Sequence, residues 1–253
     1  MRQLYSALII VVFIAVQLAA LPVTVIYSFT NPEMTPSEML GSVLPWQAVA
    51  FVIGTAIVIA IGHIHKNKNR IERGPQSDIP VTIAWIVGGV FLAYGSQIAA
   101  GLINVYLLGN PLESENTAGI IEMIQSAPFM ILVVAIFGPI LEEYVFRRAI
   151  FAEIYELIPG SRIVGFLIAG LVSGLVFALA HMDFTHILIY ITMAYVFSFL
   201  YVISGRLLVP VLVHMIMNGI VVGIQLAASD YIENMDMEQL QQSVNLIYDI
   251  LIL

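Results

Sequence analysis

GPILEEYVFRRAIF, residues 138–151, sets two adjacent carboxylates, Glu142 and Glu143, into an otherwise apolar run from Ile131 to Phe151, with Arg147 and Arg148 one turn further on. A charge at the centre of a bilayer-spanning helix costs about 2.5–3.5 kcal/mol even on the mildest insertion scale, so ionisable groups there call for a purpose. That cost applies only if the run lies in lipid, and the composition places it there. Of 253 residues, 60% are hydrophobic and 10% are charged, against about 25% charged in a soluble domain. Mean hydropathy is +0.97. In lipid every backbone polar group must be satisfied internally, so the fold class is all-α, a polytopic transmembrane helix bundle. The net charge of −8 offers no basic face to nucleic acid. The absence of cysteine excludes disulfides, thiolate metal sites and a cysteine nucleophile.

Working outward from this stretch, the apolar runs predict about seven spans: Leu4–Phe29, Leu44–Gly62, Val81–Leu108, Ala127–Ile158, Ile163–His181, His186–Ile203 and Leu207–Ala228. Each is near the roughly 20 residues a helix needs to cross a bilayer. The first run is read as a retained helix, because a cleaved signal peptide has an apolar region of only about 7–15 residues. The chain divides into residues 1–126 with three spans, 127–228 with four, and an acidic tail, 229–253. In the tail, Leu240, Val244, Ile247 and Leu251 fall at three- and four-residue spacing, predicting a C-terminal amphipathic helix. Arg2, Lys66, Lys68, Arg70, Arg73, Arg147, Arg148, Arg162 and Arg206 all fall on one side of such a bundle, and the opposite loops carry Glu33, Glu38, Glu113 and Glu115. By the positive-inside rule the N-terminus is cytoplasmic in a multi-pass cell-membrane protein.

Glu143 and Arg147 stand four residues apart with the acid first, the favourable order for a helical ion pair. Glu142 points about 100° round the helix and is left free to exchange a proton, as a general base must. A plainer reading has both glutamates simply fastening the bundle through Arg147 and Arg148. His181 ends the fifth run in FALAH, where a single histidine is more often a satisfied polar cap than a reacting group. His214 and Asn218, in HMIMN, share one face of the last helix, and taken alone they could be interhelical hydrogen bonding. His63, His65 and His186 read as interfacial. At 1.5 Å per residue Glu142 lies roughly 25 Å, His181 roughly 30 Å and His214 roughly 12 Å from the cytoplasmic turns. The three meet if the fourth helix projects into the cytoplasm, which predicts a site inside the membrane reached from the cytoplasmic side. Paired broken helices, which would point to a transporter using Glu142 as a proton carrier, are not evident.

Three short patterns in this order, EEYVFRR, FALAH and HMIMN, resemble the motifs of the CPBP family, which comprises the type II CAAX prenyl proteases (Rce1-like) and the bacterial Abi-type membrane peptidases. The resemblance covers Ala127 to Ala228. It implies an intramembrane endopeptidase acting on a membrane-associated, sometimes lipidated, peptide or protein, with the lipid bilayer as its other partner. Carried over residue by residue, Glu142 would be the base and His181 would help hold the attacking water. Glu143 and Arg147 would form the supporting ion pair, and His214 and Asn218 would stabilise the oxyanion. The family is often labelled metalloprotease, and Glu142, His181 and His214 could supply three zinc ligands. The glutamate-and-histidine scheme requires no cofactor and is the one preferred here. A non-proteolytic membrane immunity or regulatory protein that binds peptides on the same fold is the alternative.

Overall fold

A computed structural model describes residues 2–64 and 68–233. Its long elements are α-helices, and no strand occurs among the described residues. The first apolar run forms α1 (Arg2–Gln17) and α2 (Ala20–Thr30), followed by α3 (Pro36–Ile64) and α4 (Ile79–Leu102), which continues as a π-helical stretch, Ile103–Leu107. An additional amphipathic helix, α5 (Glu115–Ser126), precedes the glutamate-bearing segment. That segment is one continuous rod in which α-helix and wider π-turns alternate: α6 (Met130–Leu132), Val133–Phe137, α7 (Gly138–Glu142), Glu143–Phe151 and α8 (Ala152–Leu157). Then come α9 (Arg162–Ala180), a single 3₁₀ turn, α10 (Ile187–Ser204) and α11 (Leu208–Glu233). The amphipathic helix expected over Leu240–Leu251 lies outside the described residues.

Six of these helices are long and apolar enough to cross a membrane: Arg2–Thr30, Pro36–His63, Ile79–Leu107, Arg162–Ala180, Phe184–Ser204 and Leu208–Ala228. The glutamate rod, the remaining expected span, carries too many charges to read as a lipid-facing helix. It packs instead against α1, α3, α9 and α11. Its interior position explains the pattern: Glu143, Phe146, Arg147 and Phe151 are all within 1% of full burial. Bulky apolar side chains elsewhere, such as Phe29, Phe91 and Ile163, are widely exposed, as helices facing acyl chains require.

One apolar core runs through the bundle and draws on both halves of the chain. Ile9, Phe13 and Val58 pack with Leu141, Phe146, Phe177, Phe197 and Val213. Close helix approach is bought with small residues. A Cβ on Gly89 of α4 would sit 2.8 Å from Leu200 Cδ1 and 2.9 Å from Val213 Cγ2, so a larger residue there would make these side chains of α10 and α11 shift.

The chain reversals sort into two ends. At one end the 68–78 loop is stapled to the bundle. Arg148 pairs with Glu72 at 3.1 Å, Tyr201 donates to Glu72 at 3.0 Å, and Asn69 donates to Tyr201 at 2.7 Å. Arg2 binds Glu153 and Glu156, and Arg206 donates to the Ser77 carbonyl at 2.8 Å. Gly205 closes α10 with φ +66°, a left-handed conformation suited to glycine. At the other end lie the turns at 31–35, 109–114 and 181–183.

Candidate active site

The local irregularity of the glutamate rod has a chemical cause. Pro139 has no N–H, so in the wide turn before it the Val134 carbonyl loses its helical partner, while the Gly138 N–H goes to Val133. Asn218 of α11 fills that gap: its amide donates to Val134 O at 3.1 Å. Thr55 of α3 donates to Phe137 O at 3.2 Å, and Ser173 of α9 to Phe146 O at 2.8 Å. Side chains of three neighbouring helices thus hold open a π-turned segment of the kind often found at functional sites.

The ion pair read from the sequence is present and sealed. Arg147 Nε lies 3.1 Å from Glu143 Oε2, and both side chains are wholly buried. This is a charge contact, not an aligned hydrogen bond, and the guanidinium has no hydrogen-bond partner among the described residues. It is instead sandwiched between the ring faces of Phe177 and Phe197, 4.5 and 5.0 Å from their centroids. Arg148 turns away to Glu72. The plainer reading, with both arginines fastening both glutamates, is therefore not what the chain does.

Glu143 has a second partner that sequence reasoning missed. His214 Nδ1 donates to Glu143 Oε1 at 2.9 Å, and the ring stacks on Phe197 at 4.9 Å. With Nδ1–H committed, Nε2 is the free nitrogen, and it faces Glu142 Oε2 at 3.7 Å. Arg147, Glu143, His214 and Glu142 thus form a chain in which a buried carboxylate fixes an imidazole tautomer. His181 is pinned in the same manner. Its Nδ1 donates to its own helix's Phe177 carbonyl at 2.8 Å, and its ring stacks on Tyr190 at 4.4 Å, leaving Nε2 free. Met182, the next residue, has φ +54°, a region that non-glycine residues seldom enter. It reverses the chain immediately after His181.

Glu142, His181, His214 and Asn218 all line a single cavity of about 620 Å³, together with Gln17, Gln47 and Gln97. Glu142 keeps 18% of its side chain accessible there, whereas Glu143 keeps none. Further wall comes from the glutamate rod itself, the 112–123 segment, the start of α10 and Val221 and Val222 of α11. None comes from the basic loops. The cavity extends toward the end of the bundle opposite the 68–78 loop.

The expected interfacial role of His186 is also corrected. The residue is 3% exposed; Nδ1 faces Asp183 Oδ1 at 2.9 Å and Nε2 faces Pro111 O at 3.1 Å. Asp183 also accepts from Ser114 at 2.6 Å and Thr185 at 3.0 Å. Burial alone would raise the Asp183 carboxyl, but these donors outweigh it and hold it below the usual range. His63 is exposed, with Nδ1 2.9 Å from the Ile59 carbonyl, as suits a residue at the end of its helix. His65 lies outside the described residues.

As zinc ligands, Glu142, His181 and His214 have suitable chemistry, and each imidazole has the second hydrogen-bond partner that metal-bound histidines use. The geometry does not follow: among the described residues no group of three histidine or acidic side chains gathers closely enough to hold a metal ion.

A membrane-embedded helix bundle with a buried Glu-Arg pair and a glutamate-histidine cavity defines a class, and comparison with known proteins gives it a family. The model of the type II CAAX prenyl endopeptidase Rce1-like family matches residues 124–220. The membrane-embedded CAAX protease MroQ of Staphylococcus aureus (strain USA300) is 34% identical over 253 residues, covering the whole of both chains. YdiL of Bacillus subtilis (strain 168), a candidate membrane peptidase by its name, is 36% identical over 229 residues, 89% of this chain and 91% of that one. The chain belongs to the Rce1-like family of membrane endopeptidases. Both similarities reach well beyond Ala127–Ala228, into the N-terminal spans that supply Phe13, Gln47 and Gln97 to the cavity. No solved structure matches the chain.

Proposed function

We propose that this protein hydrolyses an internal peptide bond of a membrane-associated substrate, lipidated or membrane-inserted, with Glu142 as general base. One observation carries the reading: of two adjacent carboxylates, Glu143 is sealed with Arg147, and Glu142 faces the cavity within 3.7 Å of His214 Nε2. Water held between the Glu142 carboxylate and the free Nε2 of His181 would lose one proton to Glu142 as its oxygen adds to the scissile carbonyl carbon. The carbonyl π electrons move to oxygen. The unused N–H of the Asn218 amide is the donor that meets this oxyanion, joined by His214 when its ring is the imidazolium, with Nδ1–H on Glu143 and a second proton on Nε2. Collapse breaks the C–N bond, and the proton on Glu142 passes to the leaving amine. Glu143 and Arg147 touch neither water nor substrate; Glu143, held by Arg147, anchors the His214 ring through Nδ1–H. No step runs through a metal.

Purified wild-type protein and Glu142→Gln, assayed on a quenched-fluorescent peptide library in detergent micelles, test this. Gln keeps the shape and loses the base, so turnover should vanish while yield and melting match wild type. Retention of about a tenth or more of wild-type turnover would remove Glu142 from its role. Binding of library peptides by wild type without any hydrolysis would favour the non-proteolytic regulator.

A further inference from the structure

We infer that Tyr190 is a positioning residue for the reaction: its ring fixes the plane of the His181 imidazole, and its hydroxyl, seated on the Ser114–Asp183 pair, steadies that ring. This rests on the reading above of His181 as the group that holds the attacking water. It adds a residue that belongs to none of the three sequence motifs.

His181 closes α9, where the last carbonyls of a helix lack partners within it. Its backbone N–H turns to Ala178 O at 3.1 Å, and its ring Nδ1 takes up the Phe177 carbonyl at 2.8 Å. A bond at one ring nitrogen sets a point, not a plane. The torsion between Cβ and the ring is broad and roughly two-fold, and a half-turn about it would carry Nδ1 away from that carbonyl. Two neighbouring rings supply the missing constraint. Phe177 meets the imidazole edge-on, 4.5 Å between centroids at 64°. Tyr190 stacks on it at 4.4 Å and 30°.

His214 is held by the same construction, with Nδ1 on Glu143 and a ring, Phe197, stacked at 4.9 Å and 28°. The two supporting rings differ in what holds them. Phe197 is wholly buried, and packing on every side keeps it in place. Tyr190 lines the cavity, so one side of it borders open space. Its hydroxyl supplies the extra hold, reaching Asp183 Oδ2 at 3.4 Å, the oxygen that also takes a 2.6 Å bond from Ser114. A bond of 3.4 Å is weak, but its acceptor is fixed. Asp183 is 1% exposed, and its other oxygen accepts from Thr185 at 3.0 Å and faces His186 Nδ1 at 2.9 Å. The ring of Tyr190 therefore carries most of the effect and the hydroxyl a smaller part.

Tyr190→Leu removes the flat face and Tyr190→Phe keeps it. Both full-length variants are purified in detergent and assayed on one peptide that wild type cleaves. For Tyr190→Leu, kcat should fall by about 10- to 100-fold with KM little changed, the scale of a misplaced reacting group. Tyr190→Phe should lose no more than about fivefold, the scale of one weak hydrogen bond. Tyr190→Met takes the place of the leucine variant if that one does not fold. A wild-type kcat without the ring, or a loss confined to KM, overturns the inference. So does a phenylalanine variant as impaired as the leucine one, which would put the hydroxyl itself in the chemistry. Nitrogen-15 spectra of histidine-labelled protein give a readout that needs no turnover, with the His181 ring signals assigned by their loss in His181→Gln. Wild type and Tyr190→Phe should show one His181 ring form protonated at Nδ1, and Tyr190→Leu a mixture of the two tautomers. An unchanged His181 spectrum in Tyr190→Leu overturns the inference as well. Failure of wild type to cleave any peptide refutes the hydrolytic reading, while the spectra still decide whether Tyr190 holds the ring.

Discussion

Arg147→Ala is the most informative perturbation. The side chain is wholly buried, its Nε is 3.1 Å from Glu143 Oε2, and its guanidinium lies between two phenylalanine rings. Removing one partner of a buried pair leaves an uncompensated charge, a loss of about 3–5 kcal/mol. His214 still donates to Glu143, which places the effect at the lower end of that range, while the vacated space between Phe177 and Phe197 adds a cavity cost. At about 2–4 °C per kcal/mol for a chain of this size, the melting temperature should fall by about 6–20 °C. Activity should fall with it, because Glu143, no longer held by Arg147, positions the His214 ring less firmly. The control is Glu143→Gln with Arg147→Met, which removes both charges and keeps most of the volume. Replacing a buried pair by apolar groups is often neutral, so the double variant should recover at least half of the lost melting temperature and remain inactive. Melting of the detergent-purified variants measures both. A wild-type melting temperature for Arg147→Ala, or a double variant no more stable than the single, would refute the argument that this ion pair is a mutually dependent buried unit.

Asn218→Ala separates two roles of one side chain. If its unused N–H serves the oxyanion, kcat should fall about 100- to 1000-fold with KM little changed; a loss confined to about 1 kcal/mol of stability would leave only the bond to Val134 O. For the metal-free scheme, active purified protein should carry no stoichiometric zinc by elemental analysis, and a chelator should leave its rate unchanged. Zinc whose removal stops turnover would sink that scheme. Asp183→Asn should lower the melting temperature at neutral pH. The folded carboxyl of Asp183 sits below its ordinary value, so its contribution is complete above about pH 4 and fades as pH falls through the folded value. The gap between wild type and Asp183→Asn should therefore close in acid, and a gap that widened there would contradict the clamp.

The fold class and the polar groups that meet around the cavity were legible in the chain itself, for physical reasons. Lipid forces backbone hydrogen bonds into helices, so apolar runs of spanning length fix an all-α bundle. Charges in such runs are costly, which singles out Glu142, Glu143 and Arg147, and His181, His214 and Asn218 gain meaning from their place in the joint pattern rather than alone. Periodicity also gave the Glu143–Arg147 contact, because i and i+4 neighbours meet whatever surrounds them. What crosses between helices was not legible. That His214 belongs to Glu143, that Arg148 belongs to Glu72, and that Asn218 answers the carbonyl freed by Pro139 depend on helix tilt and on the wide π-turns of the glutamate rod, which no spacing rule encodes. His186 looked interfacial because its partners, Asp183 and Pro111, are brought together by a turn and a loop. Sequence gives a residue's height along its own helix, but only the packed bundle decides which end of the molecule is open above it.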